Sequence, residues 1–393
     1  MTGAQLTILA DDLSGAADCG MQALRHGLRS VVSLAAPGAE GAETGAGVLA
    51  WDIDTRDLAA DAAYERTHAA AAALPAEARL YLKLDSTLRG NLGAAIDAGL
   101  AATGAGVALV APAFPQLGRT TVAGRHRVAG QTETTDLAGL LRAQSRHAVA
   151  HLTLDEIRAG EAAAILEGLA GPGPLVVACD GEQDADLDLL AAAALERPGG
   201  VVWAGSAGLA HALLGALAGS QAAAHAPHPA VAGPLLIVAG SPAPETAAQV
   251  AALLARASAA AVELGEAPGQ DELAGAAGAV GELLSAGRDV LLHDPVGSDA
   301  STAGALGEVA GLAASIASPG GLVLTGGETA RRVCEALGIH EIELVSELEP
   351  GIPAGRGAPG GLPVVTKAGA FGGPGALVNA CTTLRGGIPC PVP

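Results

Sequence analysis

The stretch Lys83-Leu84-Asp85-Ser86-Thr87-Leu88-Arg89-Gly90-Asn91 sets charge and hydroxyl into a chain built mostly of alanine, glycine and leucine. Before it, Arg79-Leu80-Tyr81-Leu82 reads as a buried strand, and residues 92–101 read as a helix. A strand that ends at a helix N-terminus is where open α/β sheets bind ligands, because free peptide N–H groups and the helix dipole point outward there. Lys83 and Arg89 suit an anion, Asp85 and Ser86 suit hydroxyls, and together they fit a small polyhydroxy acid better than a nucleobase or lipid. Two structural explanations compete with this. Asn91 reads equally as the N-cap of the helix, and Lys83 and Asp85 share a strand face and could form a surface ion pair. Against the ion pair, only 16% of the chain is charged, yet three charges fall within seven positions here.

A length of 393 residues suggests two domains, and a hydrophobic fraction of 50% is ample for two cores. With two Trp, two Tyr and two Phe, those cores must pack through close approach of small side chains. The net charge of -20 argues against nucleic acid and against an anionic membrane surface. It permits an anionic small molecule only where the site supplies its own Lys, Arg, helix N-termini or metal ion. Cys19, Cys179, Cys334, Cys381 and Cys390 are odd in number and form no C-x-x-C, as expected of thiols in a reducing cytoplasm. Residues 6–10 are too short for a secretory h-region and run into Asp11 and Asp12. The uncharged segment 199–224 divides into a strand, a turn and a helix rather than a membrane span.

Polar residues stand at other strand ends too. Residues 6–10 form a strand leading into Asp11-Asp12-Leu13-Ser14, with Ser14 the expected N-cap. Capping cannot explain both aspartates, so a magnesium ligand, a hydroxyl acceptor and a general base stay open for Asp11 and Asp12. Ile53-Asp54-Thr55-Arg56 follows another strand and either lines the same cleft or caps the next helix. Residues 112–121 are a proline-punctuated loop that excludes helix. Arg119, Arg125, His126 and Arg127 then form a locally basic stretch, with an exposed hairpin as the plain alternative. Residues 220–233 read as a linker, and its His225 and His228 have no companion ligands to suggest a metal site. Beyond it, strands at 235–239, 322–325 and 363–366 end in Gly240-Ser241, Gly326-Gly327-Glu328-Thr329 and Lys367-Ala368-Gly369, and a helix follows at 330–337. Such turns let peptide N–H groups approach phosphate without a Cβ in the way. The second half contains neither a P-loop nor a G-x-G-x-x-G fingerprint. The expected architecture is α/β, with two domains, each a largely parallel sheet covered by helices, and an interdomain cleft.

The whole motif set resembles the four-carbon acid sugar kinase family. The matching pieces are Ala10-Asp11-Asp12-Leu13-Ser14-Gly15-Ala16, residues 83–91, Pro112-Ala113-Phe114-Pro115 with Gly118-Arg119-Thr120, Gly240-Ser241, Gly326-Gly327-Glu328-Thr329, Glu349-Pro350-Gly351-Ile352-Pro353 and Lys367-Ala368-Gly369-Ala370-Phe371-Gly372. The family more often has Thr where Ser14 stands. Ala368 and Ala370 replace polar options, which leaves only backbone contacts at those two positions. The resemblance implies a sugar-acid-binding domain over 1–219, a linker over 220–233 and a nucleotide-binding domain over 234–393. It implies nucleotide contacts at Ser241, Gly326, Gly327, Glu328, Thr329 and Gly369, with ATP and Mg²⁺ as the phosphoryl-transfer pair.

The expected reaction is phosphorylation of the terminal hydroxyl of a threonate-, erythronate- or 3-oxo-tetronate-type acid. Asp85 is the first choice of proton acceptor and Asp12 the second. Lys83 and Arg89 are expected to hold the carboxylate or the transferring phosphoryl, and Ser86 and Asp11 the hydroxyls. The competing readings are a non-catalytic sugar-acid sensor and a phosphate-binding sugar isomerase or aldolase-like enzyme. The expected partners are small molecules, with no nucleic acid and no membrane. Oligomeric state is not legible, a homodimer being the open option.

Overall fold

The structure is a computed structural model that describes residues 6–35, 46–75, 78–169, 173–197, 200–218, 231–256, 258–295 and 302–387. It divides into two compact units, one of Met1–Ser30 with Ala35–Ala223 and one of Val31–Leu34 with Ala224–Pro393. Most of the 220–233 linker segment, with His225 and His228, lies outside the described residues, as does Cys390.

The strands in chain order are β1 (Leu6–Ala10), β2 (Ser30–Ser33), β3 (Val48–Asp52), β4 (Leu80–Lys83), β5 (Val107–Ala111), β6 (Arg119–Val122), β7 (Arg125–Val128), β8 (Thr134–Asp136), β9 (Ala148–Leu152), β10 (Leu175–Cys179) and β11 (Val202–Gly205). They continue with β12 (Leu235–Ala239), β13 (Ala260–Glu263), β14 (Val290–His293), β15 (Gly321–Thr325), β16 (Glu341–Glu349), β17 (Ile352–Ala358) and β18 (Leu362–Lys367).

In the first unit the strands run β3-β1-β4-β11-β5-β10-β9, every neighbouring pair parallel. Every residue of β1, β3 and β5 is buried, which is why these strands read as unbroken apolar runs rather than alternating ones. Helices Leu13–Arg25 and Ala207–Ala218 pack together, as do Ala60–Ala72 and Leu92–Thr103. The basic stretch is a three-stranded antiparallel sheet, β6-β7-β8, in which Arg125 and Arg127 are exposed while Arg119 and His126 are buried. The loop before it holds a single 3-10 turn, Pro115–Leu117.

In the second unit β13-β14-β12-β15-β18 are parallel. The sheet then turns antiparallel through β17 and β16 to β2. Val31, Val32 and Ser33 therefore pair with Glu343, Ile342 and Glu341, which is why residues 31–34 count with the second unit. The antiparallel pair β16 and β17 was not expected from the sequence. Among the described residues no helix is long and apolar enough to cross a membrane, and residues 207–218 form an ordinary helix.

Small residues set the spacing of the sheet layers. A Cβ on Gly205 would lie 2.4 Å from the Ala111 carbonyl oxygen and 3.0 Å from the Tyr81 hydroxyl, which donates to the Ser206 carbonyl. Gly205→Ala should therefore cost about 1–3 kcal/mol through overpacking, read as a lower urea midpoint with an unchanged slope. An unchanged midpoint would show that β5 and β11 can separate freely.

Candidate functional site

Register brings three strand ends to one level in the first unit, since Ala10 pairs with both Asp52 and Lys83. Residues 11–12, 53–56 and 84–91 thus emerge side by side. The chain leaves β1 for β3 on one side and returns to β4 on the other, so the strand order reverses at β1/β4, where open α/β sheets hold their ligands.

Arg56 is the centre of this cluster. Its Nε and Nη2 donate to Asp11 Oδ2 and Oδ1 at 2.8 and 2.7 Å, its Nη1 donates to Asp12 Oδ2, and Nη2 lies 3.9 Å from Asp85 Oδ1. The other Asp12 oxygen accepts from Gly15 N at 2.8 Å, making Asp12 the N-cap of Leu13–Arg25. Ser14, expected as that cap, lies inside the helix with its hydroxyl buried. A Cβ on Gly15 would sit 2.7 Å from Asp12 Oδ1 and 2.8 Å from Lys83 Nζ, so glycine is what allows the carboxylate and the ammonium to close over this helix.

Lys83, 5% exposed, is no surface residue. Burial works against its ammonium, but the carboxylates of Asp11 and Asp12 outweigh it and raise the pKa. Burial is also the main influence on Asp11, raising its pKa against the pull of Arg56. Asp85 is buried as well, yet Arg56, Arg89 and Lys83 hold it well below the usual carboxylate range. Its Oδ2 accepts from Arg89 Nε at 2.7 Å and from the Thr87 hydroxyl. The Arg89 side chain is 66% exposed and so rests on a buried anion while reaching solvent. The Ser86 carbonyl lies 2.9 Å from His126 Nε2, and Thr121 Oγ1 lies 2.9 Å from His126 Nδ1, so the β6-β7-β8 sheet braces the loop. Burial lowers the His126 pKa. The neutral ring then donates from Nε2 to the carbonyl and accepts the hydroxyl at Nδ1.

Asn91 occupies the N-cap position of Leu92–Thr103 without making a side-chain cap bond. Its Nδ2 donates to the Thr55 and Leu58 carbonyls at 3.0 and 2.8 Å. It clamps the loop that carries Arg56, a role that neither sequence alternative anticipated. Arg56 itself was seen only as part of a segment near the cleft. The signal for it was the surplus of carboxylates over nearby cations at three strand ends.

The second unit repeats the topology with different chemistry. β12 lies between β14 and β15, so the order reverses at β12/β15, between the turns that follow Ala239 and Thr325. Gly326 has φ +98°, a conformation that side chains rarely adopt, and its N–H donates to the Lys367 carbonyl at 3.0 Å. The helix begins at Gly327, three residues earlier than expected, so Gly327, Glu328 and Thr329 form its first turn. Thr329 Oγ1 donates to the Gly240 carbonyl at 3.2 Å, and a Cβ on Gly369 would fall 1.8 Å from Ser241 Oγ. The structure thus brings Ser241, Gly326, Thr329 and Gly369 together, while Glu328 pairs with Arg332 at 2.7 Å. Thr246 donates to the Gly369 carbonyl and Gln249 Nε2 to those of Phe371 and Gly372, pinning the loop to helix Pro244–Ala255. A helix N-terminus bounded by Gly326, with its positive φ, and by Gly369, whose Cβ position is already filled, fits a phosphate chain.

Comparison with known proteins finds relatives over nearly the whole chain. Residues 6–213 match the family profile of a sugar-binding N-terminal domain and residues 236–377 that of a nucleotide-binding C-terminal domain. The chain is 40% identical to a D-threonate kinase of Cupriavidus necator, covering 95% of this chain and 96% of that one. It is 33% identical to a 3-oxo-tetronate kinase of Pseudomonas fluorescens, covering 97% of each. A D-erythronate kinase of Heliobacterium modesticaldum is 35% identical over 47% of each chain. A solved structure from Salmonella typhimurium described as a putative tRNA synthase has the same fold, with a TM-score of 0.79, 21% identity, and coverage of 95% of this chain and 98% of that one. The two profile matches in order and the near full-length kinship place the chain in the four-carbon acid sugar kinase family.

Proposed function

We propose that the protein is an ATP-dependent kinase that phosphorylates the terminal hydroxyl of a four-carbon sugar acid, with D-threonate its preferred acceptor. The observation that carries this reading is the pairing of two strand-reversal sites with complementary chemistry. The first is lined by Lys83, Arg89, Asp11, Asp85 and Ser86, the second by the peptide groups around Ser241, Gly326 and Gly369. A sensor has no use for the second set, and a phosphate-binding isomerase would not turn over ATP. The choice of D-threonate rests on the 40%-identical relative that bears that name. The free thiols Cys19, Cys179, Cys334 and Cys381 are in keeping with a reducing cytoplasm.

Within this reading Lys83 supplies a fixed positive charge, while Arg89 swings from Asp85 onto the acid's carboxylate. Its exposed position makes that exchange inexpensive, and Arg56 keeps Asp85 ionised meanwhile. Asp85 then accepts the hydroxyl proton. The loose transition state of phosphoryl transfer asks for a positioned carboxylate more than for a strong base. Asp12 is the second choice, because both of its oxygens are already engaged by Gly15 and Arg56. Ser86 and Asp11 orient the hydroxyls. Ser241, Gly326, Gly327, Glu328, Thr329 and Gly369 receive the nucleotide. Mg²⁺ carried on the ATP phosphates supplies charge neutralisation there.

A coupled ADP-release assay over four-carbon acids should give the highest kcat/KM with D-threonate; no turnover with any of them would refute the kinase reading. Asp85→Asn should lower kcat by about 10²–10⁴-fold with Mg·ADP affinity unchanged, and near-wild-type kcat would transfer the role to Asp12. Arg56→Met, by stripping two aspartates of their counter-charge, should cost about 3–5 kcal/mol in urea unfolding. A loss below about 1 kcal/mol, the value of a surface pair, would show that the carboxylates find other partners.

A further inference from the structure

Only two of the 21 Lys and Arg residues are lysines, Lys83 and Lys367; arginine fills every other basic position. Both lysines are the last residue of a strand, β4 and β18, and both are buried, at 5% and 1% exposure. Lys83 ends a strand of the reversal pair β1/β4, and Lys367 ends the strand next to β15 of the reversal pair β12/β15. Lys83 answers to the carboxylates of Asp11 and Asp12. Lys367 has no such partner, because no carboxylate among the described residues forms an ion pair with it.

Its surroundings are specific nonetheless. Lys367 stands in register with Thr325, and its carbonyl takes the Gly326 N–H. Its Nζ donates at 3.1 Å to the Gly369 carbonyl, the same oxygen that accepts the Thr246 hydroxyl. The charged groups that act on it are Glu245, in the first turn of Pro244–Ala255, and Glu349, at the end of β16 and held by Asn379 at 2.7 Å. Both favour the ammonium, but burial outweighs them and brings its pKa down to about 7. An amine buried without an ion pair costs the fold stability, so its retention in a chain that otherwise uses arginine needs a reason outside the fold.

We infer that Lys367 is the cation that receives the nucleotide's phosphate chain in the second unit, its ammonium turning from the Gly369 carbonyl onto the phosphate oxygens. The inference rests on the nucleotide reading of that site and adds a residue to it. A guanidinium would stay charged in the empty pocket, whereas an amine can shed its proton there and regain it when phosphate arrives. Nucleotide binding should therefore take up a proton above about pH 7 and almost none below about pH 6. The sign for stability follows from the same shift. The unfolded chain binds more protons than the empty folded protein between about pH 7 and the ordinary lysine value near 10.4, so stability rises with pH across that window.

The test is calorimetric titration of wild type and Lys367→Met with Mg·ADP and with AMP, each in two buffers of different ionisation enthalpy, at about pH 6 and about pH 8. Wild type should take up close to one proton per Mg·ADP at the higher pH. Lys367→Met should take up none, bind Mg·ADP at least about tenfold more weakly, as loss of one charge-assisted contact requires, and bind AMP within about twofold of wild type. Its melting temperature without nucleotide should equal or exceed that of wild type, which a purely structural lysine would not allow. Unchanged Mg·ADP affinity and proton uptake in the variant would overturn the role of Lys367 and leave the nucleotide site standing. Failure of wild type to bind Mg·ADP would overturn both. Should the variant not fold, proton uptake by wild type alone decides, its absence at the higher pH being the contrary result.

Discussion

Two adjacent aspartates at the end of a buried strand repel each other, by about 4 kcal/mol at 4 Å in the effective dielectric of a protein edge. Arg56 makes their placement tolerable, closing on Asp11 with two nitrogens and on Asp12 with the third while standing near Asp85. It reaches them because Thr55 and Arg56 donate their N–H groups to the Asp11 carbonyl and Asn91 grips the carbonyls of the same loop. The placement of Asp11 and Asp12 at the top of the first sheet depends on this guanidinium. Without it, Asp11 and Asp12 lose their main counter-charge, and Lys83 becomes the nearest cation left to them.

The two units solve the same topological problem with opposite materials. Each contains a run of parallel strands whose order reverses beside its first strand, and each collects its polar groups there. In the first unit the groups are charged side chains held by mutual pairing, so the site is sensitive to loss of any one charge. In the second they are peptide groups exposed by glycine, so the site is sensitive to added atoms: Gly326 needs its positive φ, and Gly369 has no room beside Ser241. A chain poor in aromatic residues and rich in Ala and Gly suits both, because small side chains let helices and strand-end loops approach closely.

Much of this was legible in the sequence. β1 and β12 coincide residue for residue with the expected strands, since strands buried on both faces read as plain apolar runs. The polar strand ends followed directly, and with them Lys83, Asp85 and the glycine turns. Choices between equivalent local options were not legible. Ser14 and Asp12 are both good caps, and only the position of Arg56 and Gly15 selects Asp12. Gly326-Gly327 reads as a turn, yet the second glycine is already helical. The pairing of Val31 with Glu343 joins segments remote in sequence, and nothing in residues 30–34 says which sheet they will extend. The alternation of Ile342, Leu344 and Ser346 as buried positions is the strand signal of β16, and it runs directly into the turn motif Glu349-Pro350-Gly351.

The central claim is that each unit holds its own ligand at its own strand-reversal point. Hydrogen exchange resolved by peptide, with one ligand at a time, tests it most directly. D-threonate alone should slow exchange in residues 11–15, 53–58 and 84–91, and Mg·ADP alone in residues 240–243, 326–330 and 368–372. Protection of one common set by both ligands, or of peptides outside these loops, would contradict the account.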